Sequence, residues 1–237
     1  MADAKRARAA QEDEELLSAL ETCRALLSRR LAPAVASAFG PTPVPDEWAA
    51  NLDRVLFASS TIQTRVAELG AQISRDLRAA CAEFKPGQEV VVVGLLNGAV
   101  CFLNDVIRQL SVPYVVDFMQ VSSYKGTTSK GSVELRKDMS ISPEGKHILI
   151  VEDIIDTGTT LHWLRSYLKS KSCASVRVAC LLDKKEGRQK QHSDVLVEYV
   201  GFTCPNEFVV GYGLDFNQSY RGLPFIAVLK EGAYKHS

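Results

Sequence analysis

An α/β fold built on a mostly parallel sheet is what this sequence predicts, and three observations predict it. VVVVGLL, from Val90 to Leu96, is a short, β-branched, wholly apolar run, the pattern of a strand buried on both faces. Candidate strands then alternate with amphipathic helices, the order that builds a parallel sheet with helical crossovers. Acidic residues stand where another apolar run ends, at the rim where open α/β sheets hold their ligands.

The elements follow in order. Leu16, Leu17, Leu20, Leu27 and Leu31 recur at helical spacing behind the acidic EDEE, so residues 12–32 read as an amphipathic helix with negative charge at its N-terminal end. GPTPVPDEW then sets three prolines within five residues, which no helix continues through. Residues 1–50 are therefore expected to form a helical extension with a Pro-rich linker, and residues 51–237 the main domain. Ile62, Val66, Leu69, Ile73 and Leu77 trace one face of a second helix, closed by KPG at 85–87. After the Val90 strand comes a helix carrying Phe102, Leu103, Val106, Ile107 and Leu110. PYVVDFMQVSSY, SVELRKDM, HILIVED, SVRVACLLDK and FVVGYGLD are further strand candidates, and TLHWLRSYLKS is another helix. The HILIV run is expected to end at Val151, leaving Glu152 and Asp153 at its mouth.

Composition narrows the function. Lys+Arg 28 balances Asp+Glu 28, so no overall positive field recruits nucleic acid or an anionic membrane, and an anionic ligand needs a local device. The six cysteines, at 23, 81, 101, 173, 180 and 204, form no C-x-x-C pair and have no histidine at ligand spacing, which argues against zinc and against a disulfide framework. The first residues lack the apolar core of a signal peptide, and no apolar run approaches the roughly 20 residues that span a bilayer. The cytoplasm is the expected compartment. The closing AYKHS does not spell the S-K-L type of microbody address, though a looser signal stays open.

The chemistry concentrates in IVEDIIDTGTTL, from Ile150 to Leu161. Two adjacent acids at the end of a buried strand repel each other unless a cation or hydroxyl donors compensate them. Gly158 permits a tight turn, and Thr157, Thr159 and Thr160 supply hydroxyl and backbone donors where the next helix begins. Such a turn holds a phosphate without a lysine. G-x-x-x-x-G-K-[ST] and G-x-G-x-x-G are both absent, so Walker-type and dinucleotide sites lose ground. A phosphate turn beside two acids points to a sugar phosphate.

This stretch resembles the phosphoribosyl-diphosphate signature of the type I phosphoribosyltransferases, most closely their hypoxanthine-guanine branch. The similarity extends over residues 55–235 through GLLNGAV, VSSYKG, LLDKKEGR and PNEFVVGYGLDFNQSYRGLPFIAVL, in that order. It implies the fold of that family, with a small hood beside the central sheet, and transfer of a 5-phosphoribosyl group from phosphoribosyl diphosphate to a 6-oxopurine base with Mg²⁺. By the same resemblance Glu152 and Asp153 contact the ribose hydroxyls directly or through magnesium, and Asp156, Thr157, Gly158, Thr159 and Thr160 bind the 5-phosphate. Asp156 also faces purine N7, where a carboxylate accepts or restrains the proton. Asp215 corresponds to a second metal-facing acid near the purine, and Arg221 to the arginine that reaches pyrophosphate, beside a loop containing Leu96, Asn97 and Gly98. Lys184 donates to the exocyclic oxygen of the base, Phe208 stacks on the ring, Val209 meets its C2 edge and Ile154 packs on the opposite face. Ser123 and Tyr124 correspond to the pair in a mobile lid.

GLLNGAV departs from the family pattern, which commonly carries lysine where Leu96 stands and glycine where Asn97 stands, with a strained peptide expected between positions 95 and 96. Thr159 likewise stands where some relatives place a lysine. Xanthine is a further candidate base. A regulatory protein of this fold that senses nucleotide while binding nucleic acid is the alternative, and the chain offers it neither a basic stripe nor a helix-turn-helix pattern. A homodimer or homotetramer is expected, because exposed apolar helical faces need a partner.

Overall fold

Strand periodicity and helix periodicity meet in two apolar layers on either side of one sheet. The computed structural model describes residues 43–81, 88–123, 133–188 and 196–234. The expected helix at 12–32 and the KPG closure at 85–87 lie outside them. The chain divides into two units, Met1–Asn51 and Leu52–Ser237. Within the first, α1 (Asp46–Asn51) carries Asp46 and Glu47 in its opening turn, where the helix dipole favours negative charge.

The second unit runs β1 (Leu52–Phe57), α2 (Ser59–Cys81), β2 (Val90–Leu96), α3 (Val100–Gln109), β3 (Val115–Ser123) and β4 (Val133–Lys137). It continues through β5 (His147–Ile155), α4 (Thr159–Ser170), β6 (Ser175–Asp183), β7 (Tyr199–Thr203), β8 (Val209–Val210), β9 (Ile226–Leu229) and α5 (Glu231–Tyr234). The larger sheet has the order β4-β3-β2-β5-β6-β7. It is parallel except at its β3–β4 edge, and so matches the expected class. A small antiparallel sheet of order β1-β9-β8 stands apart from it.

The central strand β2 shows why its sequence is apolar throughout. Val90 and Val92 join a core cluster with Ile62, Leu69, Ile73 and Phe102 from α2 and α3, whereas Val91 and Val93 join one with Leu161, Leu164 and Leu168 from α4. Alternate side chains thus enter opposite layers, and neither face meets water. The α2 stripe read from the sequence is the buried one: Ile62, Val66, Leu69, Ile73 and Leu77 are all at most 3% exposed. Each such side chain stabilises the fold by about 1.5–3 kcal/mol relative to exposure.

Three expectations need correction. β5 continues past Val151 to Ile155, because Glu152, Ile154 and Ile155 still pair in register with Cys180, Leu182 and Asp183 of β6. FVVGYGLD forms only the two-residue β8 before Gly211, Tyr212 and Gly213 turn with positive φ. Finally, β1, β7 and β9 are strands that the sequence reading does not mark. No described helix is long and apolar enough to cross a membrane. Exposed large hydrophobics among the described residues are Val100, Leu196 and Phe208, on separate parts of the chain, so the uncovered helical face invoked for oligomerisation is not found there.

Candidate functional site

The strand order changes direction between β2 and β5. The chain leaves β2 through α3 to reach β3 on one side, and leaves β5 through α4 to reach β6 on the other. A crevice opens at the carboxyl ends of two such strands. The β2 end supplies Leu96, Asn97 and Gly98, and the β5 end supplies Glu152, Asp153 and the turn at Asp156–Gly158.

The two loops touch. A Cβ on Gly98 would overlap the Asp153 carboxylate, so only glycine lets the β2 loop lie this close. The loop contains a cis peptide at Leu96–Asn97, one residue beyond the special peptide expected at 95–96. Leu95 is buried, while Asn97 is exposed.

Glu152 and Asp153 sit together in a poorly solvated place. Burial first, then repulsion from Asp153 and a hydrogen bond with it, pushes the Glu152 carboxyl well above the usual carboxylate range. Burial also raises Asp153, opposed by hydrogen bonds from the Ile154 N–H and from Glu152 and by the positive charge of Arg221. The Ile154 N–H donates to Asp153 Oδ1 at 2.8 Å. Glu152 Oε2 is buried without a hydrogen-bond partner. Crowding and desolvation thus disfavour the charged form of both carboxyls until positive charge compensates them.

This pair fits a hard divalent cation of the magnesium type, which needs only one or two protein carboxylates when phosphate oxygens and water complete its shell. The expected trio of Glu152, Asp153 and Asp215 is another matter. Among the described residues no three His, Cys, Asp or Glu side chains cluster with metal-holding geometry. Asp215 instead pairs through Oδ1 with Arg221 at 2.9 Å and accepts the Gln218 N–H through Oδ2 at 2.9 Å. Arg221 is also turned onto its own loop, donating to the Gly213 carbonyl at 2.8 Å and to Gln218 Oε1 at 2.9 Å.

Gly158 precedes α4 with φ 79°, a left-handed conformation suited to glycine, and the helix start has no side-chain cap. The Thr159 N–H reaches Thr157 Oγ1 only at 3.4 Å, and the first intrahelical bond is His162 N–H to the Gly158 carbonyl at 3.0 Å. The opening turn therefore leaves amides without an intrahelical acceptor. Asp156 is exposed at the edge of this turn. A Cβ on Gly187 would overlap its Oδ1, so the short 3₁₀ turn Lys185–Gly187 is seated directly against the Asp156 carboxylate.

That second turn is anchored by a buried ion pair, Arg188 Nη2 to Asp183 Oδ1 at 2.8 Å. Between the paired residues lies Lys184, only 9% exposed, its N–H donating to the Ile155 carbonyl at 2.9 Å. Lys184 and Asp156 are thus held on adjoining backbone turns at the ends of β6 and β5. Phe208 is 36% exposed; its ring stacks on Tyr234 at 5.0 Å and meets Phe216 edge-on at 5.5 Å. Val209 is buried in the small sheet, and Ile154 is half-buried against the main core. Ser123 closes β3 opposite Val133, and Tyr124 lies outside the described residues.

Sequence reasoning missed Gly187, Gly213, Asp183 and Arg188. The glycines had a signal: each stands within a few residues of a proposed contact, where glycine often marks close backbone approach. The Asp183–Arg188 pair straddles Lys184 at a spacing that has no regular-helix meaning, so only the folded turn reveals it.

The phosphoribosyl transferase domain family model matches residues 57–217, and the chain belongs to the phosphoribosyltransferase family. Within that family it is most readily compared with the hypoxanthine-guanine branch. It is 41% identical over 187 residues to the hypoxanthine-guanine phosphoribosyltransferase of Streptococcus pneumoniae, covering 78% of this chain and 98% of that protein. Identity to the Mycobacterium tuberculosis enzyme of the same name is 41% over 200 residues, covering 84% and 96%. A crystal structure of the Staphylococcus aureus hypoxanthine phosphoribosyltransferase superposes with a TM-score of 0.70 at 40% identity, over 79% of this chain and 96% of that one.

Proposed function

We propose that this chain is a purine-salvage transferase that moves the 5-phosphoribosyl group of phosphoribosyl diphosphate to N9 of hypoxanthine or guanine, releasing pyrophosphate. The observation that carries this reading is the junction of the half-buried Glu152–Asp153 pair, the Gly98 loop and the open start of α4. One sugar bearing a phosphate at one end and a diphosphate at the other spans such a junction. The relatives' names supply the reaction class.

Residue roles follow from chemistry. The amides at Thr157–Thr160 hold the 5-phosphate, helped by the helix dipole. Glu152 and Asp153 accept from the ribose hydroxyls. The Leu96–Gly98 loop and Arg221 receive the leaving pyrophosphate once Arg221 exchanges its contacts within the loop for the polyanion. When bound, Mg²⁺ would neutralise leaving-group charge as a Lewis acid; Glu152 and Asp153 are the residues that would hold it, and Asp215 would be the further acid of the set once released from Arg221. Asp156 takes or restrains the N7 proton as N9 attacks the anomeric carbon. Lys184 donates to the 6-oxo oxygen, a bond that the exocyclic amine of adenine cannot accept. Phe208 stacks on the base with the ring face that Tyr234 leaves open, Ile154 packs opposite, and backbone at Val209 meets the C2 edge. Ser123 and Tyr124 close over the reaction and exclude water.

The test is an absorbance assay with Mg²⁺ and phosphoribosyl diphosphate, run in parallel with hypoxanthine, guanine, xanthine and adenine. Turnover of the first two with none of adenine is expected. Absence of turnover with every 6-oxopurine overturns the proposal, and the xanthine arm settles the breadth of base choice.

A further inference from the structure

Residues 211–213 carry an unusual backbone beside the site. Gly211, Tyr212 and Gly213 have φ of 99°, 52° and 103°, three left-handed residues in succession. Glycine adopts this region freely. A bulky aromatic does so only where its surroundings over-determine it.

Those surroundings are visible. Tyr212 is 5% exposed, and its hydroxyl donates to Asp105 Oδ2 at 2.6 Å. Gln63 Nε2 donates to the same oxygen at 2.7 Å. Burial first, then the bond to Asp105, pushes the phenol far above its ordinary range, so it remains a donor at any working pH. Three elements thereby converge on one carboxylate: α2 through Gln63, α3 through Asp105, and the turn through Tyr212.

The next residue shows what the turn is for. A Cβ on Gly213 would overlap the Gly98 carbonyl oxygen, and Gly98 in turn lies against Asp153. Gly213 is also bracketed by Arg221, which accepts its N–H at 2.9 Å and donates to its carbonyl at 2.8 Å. Asp105 belongs to the helix that starts where the Leu96–Gly98 loop ends. The loop is therefore held from two directions, by its own helix and by the Tyr212 turn resting on it.

We propose that Tyr212, locked by Asp105 and Gln63, is a positioning residue for the pyrophosphate end of the site, setting the separation between the Leu96–Gly98 loop, Arg221 and Asp153. This rests on the phosphoribosyl transfer proposed above. Tyr212 touches none of the reacting atoms. Its effect passes through Gly213.

Tyr212→Phe keeps the ring and removes the donor. Steady-state kinetics in both substrates, calorimetric titration with magnesium pyrophosphate and a melting curve form the experiment. The KM for phosphoribosyl diphosphate and the Kd for pyrophosphate should rise together by about tenfold, the factor for one lost hydrogen bond of about 1.4 kcal/mol. The KM for hypoxanthine should stay within about twofold. Combining Tyr212→Phe with Asp105→Ala should add little to the larger single effect, since partners in one bond are not independent. Unchanged pyrophosphate affinity in Tyr212→Phe, or an equal rise in the base KM, overturns the inference. Gln63→Met removes the second donor from the exposed side of α2 and should raise the same two constants by a smaller factor; it decides the matter if Tyr212→Phe does not fold, a flat response counting against the inference. A wild-type chain inactive with every base sinks the function itself, whereas an active one with indifferent variants sinks only the role of Tyr212.

Discussion

In the proposed reaction Asp156 and Lys184 would divide the work on the base between proton handling and selection. Asp156→Asn keeps the shape and removes the basic oxygen, so turnover should fall about 10²–10⁴-fold, measured as initial rates at saturating hypoxanthine; near-normal rates would remove Asp156 from the chemistry. Lys184→Ala should instead narrow the preference for hypoxanthine over adenine, read as the ratio of the two kcat/KM values, and an unchanged ratio would contradict the proposed contact. Gly187→Ala is the finer probe, because the added methyl must displace Asp156. It should lower turnover with far less effect on the KM for phosphoribosyl diphosphate, and equal activity would show that the two turns do not need their close seating. The acids and the threonine turn were legible because the whole device occupies one unbroken stretch from Glu152 to Thr160. Tyr212, Asp105 and Gln63 were not, since their bonds join residues 107 and 42 positions apart and each reads alone as an ordinary surface or core residue.

At the scale of elements, Asp117 ties β3 to the segment that follows β4. It is 5% exposed and accepts N–H bonds from Phe118, Ser140 and Ile141 at 2.7–2.8 Å, with Lys137 3.7 Å away. Burial alone would raise its carboxyl, but those three donors and Lys137 outweigh it and hold the group below the ordinary value. A depressed folded value adds stability that is present above the unfolded value and lost as pH falls through the folded one. Asp117→Asn should therefore cost about 1–3 kcal/mol near neutrality, and urea midpoints of variant and wild type should converge under acid conditions. A gap independent of pH would assign the cost to packing instead of charge. Helices were readable here because a 23-residue stripe such as α2 repeats its signal several times. β1, β7 and β9 are only 4–6 residues long and give alternation little room to register. The end of β5 was misplaced because charged residues inside a strand look like its terminator until β6 is seen pairing alongside.

Across the whole molecule, the relatives match this chain over 98% of one protein's length while using 78% of this one. We propose that residues 51–237 carry the transferase and that residues 1–50 are an extension, so a chain lacking residues 1–42 should keep kcat/KM within about twofold, the resolution of a careful rate comparison. A loss much beyond that would place part of the site in the extension. Binding of phosphoribosyl diphosphate with Mg²⁺ should raise the melting temperature in proportion to the logarithm of ligand concentration, because a ligand of the folded state alone shifts unfolding by mass action. The proposed homodimer or homotetramer is checked by light scattering; a monomer at assay concentration with full activity would separate assembly from catalysis. The class of fold was legible at this scale because parallel strands announce themselves by being apolar on both faces. The hood was less so, as its strands β1, β8 and β9 are drawn from opposite ends of the domain.

The uncapped opening of α4 has one last consequence. A helix whose opening amides have only one long side-chain bond, from Thr159 to Thr157, begins loosely, and those amides exchange readily with solvent deuterium. In the proposed reaction an incoming phosphoryl group would supply further acceptors, so the ligand would complete the helix that grips it. The amides of Thr159 to Leu161 should then trade hydrogen slowly only in the bound state, with the deeper turns of the same helix protected throughout.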